Sequence, residues 1–86
     1  MYYVYVIKSL QNNRLYIGYT EDLKSRLNQH NAGKNKSTKF SKWALVYYEA
    51  YKSKKDATKR EKRLKRDGRA KYHLKNRIKN SIEKVV

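Results

Sequence analysis

The chain has 86 residues, no cysteine and a formal net charge of +16, from 23 Lys plus Arg against 7 Asp plus Glu. That length suits one small domain spanning residues 1–86, held by packing without disulfides, and the lack of cysteine fits a reducing compartment. No apolar run approaches the roughly 20 residues of a membrane span, and the N-terminus lacks a basic-then-apolar leader, so a cytoplasmic protein with no membrane role is expected. The charge is uneven: Lys52 to Lys79 holds fourteen basic residues and three acidic ones. Self-repulsion on that scale is relieved by a polyanion, which makes nucleic acid the expected partner, ahead of a membrane surface or an acidic protein.

In chain order, Met1 to Ser9 is rich in β-branched and aromatic residues, Gln11-Asn12-Asn13 is turn chemistry, and Leu15 to Thr20 is again strand-like. The two runs predict an antiparallel hairpin. Side chains alternate along a strand, so Tyr3, Tyr5 and Ile7 share one face and Tyr2, Val4 and Val6 the other, while Tyr16 pairs with Gly18. A register that sets Tyr5 and Tyr16 on the same side brings two phenols together, with Gly18 leaving room beside them for another backbone or a ligand. A helix follows from about Glu21 to Ala32, with Thr20 as N-cap, Glu21 and Asp22 at the positive end of the dipole, and Gly33 as its stop. Leu23 and Leu27 form its apolar stripe, and Arg26 and His30, four apart, lie beside it.

The segment from Asn31 to Lys42 reads as an exposed loop whose Lys34, Lys36 and Lys39 are placed to touch a phosphate backbone. Trp43 to Tyr51 predicts a third strand, with Trp43, Leu45, Tyr47 and Glu49 on one face and Ala44, Val46, Tyr48 and Ala50 on the other. Two apolar faces place this strand at the covered centre of the sheet, and its Trp43, Tyr47 and Tyr48 are read as core rather than as base-stacking residues. Ser53 and Asp56 resemble a capping box opening a helix from about Lys54 to Asp67, with Gly68 as its stop. Glu61 lies between Ala57 and Leu64 on the inward face of this basic helix. A lone carboxylate there is either a salt-bridge partner of a flanking cation or a metal ligand. A last helix, about Arg69 to Val85, repeats Ala70, Leu74, Ile78 and Ile82 at every fourth position and packs as a stripe.

An aromatic strand ending in tyrosine, a second strand reading Tyr16-Ile17-Gly18, an Arg26-x-x-x-His30 helix and a glutamate in a basic helix resemble the GIY-YIG nuclease superfamily over nearly the whole chain. Tyr3 stands where the family name has glycine. Many members also carry an asparagine after the glutamate helix, and His73 and Asn76 fall near that place. The resemblance implies that Tyr5, Tyr16 and Arg26 line an active site with His30, and that Glu61 binds one Mg²⁺ or Mn²⁺ ion.

The fold expected is α+β, a small three-stranded antiparallel sheet flanked by helices in the order β-β-α-β-α-α. The function expected is metal-dependent endonucleolytic hydrolysis of DNA, or of RNA, with a structure-specific role in repair or recombination. The alternative is a non-catalytic nucleic-acid-binding module that relies on a partner protein for activity or specificity. Beyond the loop lysines, Lys59, Arg60, Arg63 and Lys65 are the expected backbone contacts. Among the site residues, Tyr5, Tyr16 and His30 compete for the role of proton acceptor, since a phenol with a pKa of about 10 is a poor base at neutral pH.

Overall fold

The computed structural model describes residues 1–34, 36, 38 and 41–84. Its elements are β1 (Tyr2–Ser9), β2 (Leu15–Thr20), α1 (Leu23–Asn31), β3 (Trp43–Tyr51), α2 (Lys54–Arg66), α3 (Gly68–Arg77) and α4 (Lys79–Lys84). The strands form one antiparallel sheet in the order β2-β1-β3. The class is α+β with helices on both faces of the sheet, as the alternation of apolar runs predicts.

The central strand is β1, not β3. Residues 4–7 of β1 are all buried, whereas β3 is an edge strand on which Tyr48 stays 52% exposed. Apolarity on both faces of β3 therefore did not mean central placement, and Tyr48 is not a core residue; its ring meets Tyr3 edge-on. A bulge explains the rest of the difference. Val6 pairs with Tyr47 and Ile7 with Leu45, which leaves Val46 as the extra residue and shifts the facing of β3 along its length. Trp43 and Leu45 pack on one face of the sheet with Tyr5 and Ile7, whereas Tyr47 and Tyr51 pack on the other with Val4 and Val6.

Two cores result. One lies between the sheet and α2, α3 and α4, and joins Val4, Val6 and Ile17 to Ala57, Leu64, Leu74 and Ile78. The smaller one lies under α1, where Leu23 and Leu27 cover Tyr5, Ile7, Tyr16 and Trp43.

Helix ends depart from expectation in physically simple ways. The N-cap of α1 is Asp22, whose carboxylate accepts from the Ser25 amide at 3.0 Å, while Thr20 Oγ1 accepts from the Asp22 amide at 3.1 Å and so shapes the entry turn instead of capping. The stop at Gly33 is as expected: its φ is 75°, its amide donates to the His30 carbonyl, and Lys34 donates to that of Gln29. At the start of α2 Ser53 makes no side-chain cap bond, so no capping box forms. Gly68 does not end a helical region but opens α3, because Asp67 closes α2 and caps α3 by accepting from the amides of Arg69 and Ala70. The last predicted helix is two. The backbone leaves helical geometry at Ile78 (φ -107°, ψ 20°) with neither Gly nor Pro to signal it, and Leu74 and Ile78 stay buried across the break. Val85, the predicted end, lies outside the described residues.

Candidate active site

The pairing of β1 with β2 sets Tyr5 opposite Gly18 and Ile7 opposite Tyr16, so the two phenols share a face on neighbouring pairs, with ring centroids 6.5 Å apart. The space above Gly18 is filled by Tyr5 itself, not by a ligand or another backbone. A Cβ built on Gly18 falls 2.3 Å from the Tyr5 hydroxyl, so only glycine admits the phenol at this position.

Helix α1 then delivers His30. The imidazole is fully buried, its Nε2 2.7 Å from the Tyr5 hydroxyl and its Nδ1 2.7 Å from Thr38 Oγ1. Either neutral tautomer satisfies both bonds, since each hydroxyl donates or accepts as required. Burial, with Arg26 adding to it, holds the His30 pKa below the usual imidazole range and so keeps the ring neutral at pH 7. Burial also pushes the Tyr5 phenol up to about 12; Tyr16 adds to the rise, while the nearby Arg26 opposes it. The edge of the His30 ring meets the Tyr16 ring at a centroid distance of 5.1 Å.

A clasp fixes this side of the molecule. Asn31 accepts from the Trp43 amide at 2.6 Å and donates to its carbonyl at 3.1 Å, and Trp43 Nε1 donates to the Thr38 carbonyl at 2.9 Å. The C-terminus of α1, the residue behind His30 and the start of β3 are thereby joined. Nothing in the sequence marked Thr38 or Asn31, because both sit in a polar stretch that reads as loop.

Helix α2 brings the carboxylate. Glu61 is close enough to Tyr5 for its charge to raise the phenol further. Its carboxylate is 3.2 Å from Lys65 Nζ, and that ammonium sits 5.4 Å from the centroid of the Tyr16 ring. Lys65, expected as a plain backbone contact, thus lies between Glu61 and Tyr16. Tyr5, Tyr16 and His30 are in direct contact, with Arg26 and Glu61 near enough to Tyr5 to act on its charge.

The other expected contacts fall elsewhere. Lys34 and Lys36 are exposed beyond α1, and Lys39 lies outside the described residues. Lys59, Arg60 and Arg63 lie on the opposite flank of α2. Arg60 is engaged there by Glu49, its Nε and Nη2 each donating at 2.9 Å.

The donor set decides which metal fits. Among the described residues no three His, Cys, Asp or Glu side chains gather into a cage. A lone carboxylate, 21% exposed and beside a partly open phenol, suits a hard ion that keeps most of its water and takes the rest of its oxygens from a phosphate. It does not suit a zinc or calcium site built wholly from protein ligands.

The family model described as the GIY-YIG catalytic domain matches residues 1–80. A UPF0213 protein of Staphylococcus haemolyticus is 43% identical over 68 residues, covering 74% of this chain and 79% of the relative. UPF0213 proteins of Streptococcus pyogenes serotypes M3 and M5 are 41% identical over 68 residues, covering 74% of this chain and 71% of theirs. No solved structure gives a significant match. No helix among the described residues is long and apolar enough to cross a membrane. With the motif residues gathered at one edge of the sheet and the family model spanning nearly the whole sequence, the chain belongs to the GIY-YIG family of nucleases, which act on nucleic acid and generally use a divalent metal ion.

Proposed function

We propose that this protein is a DNA endonuclease that hydrolyses phosphodiesters with one Mg²⁺ or Mn²⁺ ion held by Glu61. The observation that carries the reading is the hydrogen bond between the Tyr5 hydroxyl and a neutral, buried His30 beside Arg26. A phenol with a pKa near 12 is almost wholly protonated at pH 7, so Tyr5 accepts a proton from water only by passing its own onward. His30 Nε2 is placed to receive it at 2.7 Å, whereas Tyr16 meets His30 through ring edges. His30 has no exposed surface and Tyr5 only 2%, so the proton path we propose runs from a water at the Tyr5 hydroxyl to His30 behind it. Arg26 faces the charge that develops on the phosphate, and Thr38 holds the imidazole from behind. When bound, the divalent ion supplies charge neutralisation at the phosphate. Lys65 holds the Glu61 carboxylate in place and lies against Tyr16, at the open side of the site.

The excess of cations suited to phosphates favours recognition of DNA shape over sequence, as on branched, nicked or flapped substrates. Pure protein incubated with flap, nicked, branched and linear DNA, with and without Mn²⁺, tests the reading. Metal-dependent cutting with preference for a non-linear substrate is expected, and absence of cutting on every substrate contradicts it.

A further inference from the structure

Helix α2 separates two basic regions. Its apolar residues Ala57 and Leu64 face the core, and at 3.6 residues per turn Glu61 and Lys65 project to one side of that stripe and Asp56, Arg60 and Arg63 to the other. The first side reaches Tyr16 on β2; the second reaches Glu49 on β3, the opposite edge of the sheet. On this second side α2 and α3 flank an open cleft of about 500 Å³, to which α3 adds His73 and Arg77.

The cleft is built and positively charged. Four cations, Lys59, Arg60, Arg63 and Arg77, line it against one acid, Asp56. Arg60 is held by Glu49, whose carboxylate also accepts from the Tyr47 hydroxyl at 2.6 Å and from that of Tyr51. Arg63 meets Asp67 only at 3.8 Å between exposed side chains, a pair of little worth, and Lys59 and Arg77 have no ion-pair partner among the described residues. A concave surface with cations in excess and low-dielectric walls concentrates anions.

We propose that this cleft is a second phosphodiester-binding site, which takes the substrate strand after it has crossed α2 from the scissile phosphate. The inference rests on the endonuclease reading for the position of that phosphate. A helix with its side chains is about 10–12 Å across, so the crossing takes only a few nucleotides of strand. His73 at the cleft offers an imidazole face on which a base can stack. Arg77 and His73 are new here as binding residues.

The test is binding in EDTA, where nothing is cut, so it stands whether or not the protein proves to be a nuclease. A labelled single strand of about 20 nucleotides, longer than a typical single-strand site, is titrated by fluorescence anisotropy into the wild-type protein and the Lys59→Gln/Arg77→Gln variant across a salt series. The variant is expected to bind the long strand several-fold more weakly, with the slope of log K against log salt shallower by about 1.4 for two lost contacts. In parallel, wild-type amide NMR signals around Lys59, His73 and Arg77 should shift with the long strand. An unchanged slope, or long-strand shifts confined to the Glu61 side, overturns the site.

Discussion

The Tyr5 hydroxyl is tightly placed, with Gly18 and His30 against it and Arg26 near. Tyr5→Phe keeps the ring but leaves the buried His30 Nε2 without its partner, at a cost of roughly 1–3 kcal/mol in denaturant unfolding. If Tyr5 passes the proton, the single-turnover cleavage rate of the folded variant drops by roughly 10² or more; a rate near that of the parent reduces the hydroxyl to a packing role. Gly18→Ala forces the phenol to move. It should destabilise the fold by roughly 1–3 kcal/mol and lower activity at protein concentrations where binding is complete, whereas an alanine variant of parental stability and rate would show that the close approach is not needed. The spacing of Tyr5, Tyr16, Arg26, His30 and Glu61 was visible in the sequence because each sits on a regular element whose period fixes its direction. Thr38 and Lys65 were not, since their roles come from contacts between segments that only the fold brings together.

At the scale of elements, Glu49 ties edge strand β3 to α2. Burial works against its ionisation, but the bonds from Arg60, Tyr47 and Tyr51 outweigh burial and hold its pKa below the usual carboxylate range. A depressed folded pKa gives stability that is present above the unfolded value near 4.3 and is lost as pH falls through the folded value. His30, also depressed, destabilises the fold in the same direction once pH falls below about 6.5. Tyr5, Tyr47 and Tyr51 act oppositely: with folded values near 12, their contribution is complete below pH 10 and disappears between 10 and 12. Thermal melting against pH should therefore show a plateau that falls at both ends. Glu49→Gln should lower the plateau by about 2 kcal/mol and flatten part of its acid limb, and an unaltered acid limb would remove Glu49 from the account. Strand and helix identities were legible from periodicity, whereas strand order was not. The choice of β1 as centre depends on how both faces are covered, and the bulge at Val46 reverses the facing that strict alternation assigns to Tyr47 and Glu49.

Across the whole molecule, a net charge of +16 means that the DNA binding we propose is a sum of many phosphate contacts. For about six contacts the slope of log K against log salt is roughly -5, and a flat dependence would remove the electrostatic account of binding. Chemistry, by contrast, is assigned to a few groups at the β2 edge. Binding and cutting should therefore separate on mutation. The most direct measurement is single-turnover cleavage of a labelled branched DNA with Mn²⁺, alongside anisotropy binding in EDTA, for wild-type protein, Arg26→Ala and Glu61→Gln. The account predicts that both variants fold, bind within a few-fold of wild type and do not cut. A variant that cuts at the wild-type rate, or one that loses binding in step with cutting, contradicts it.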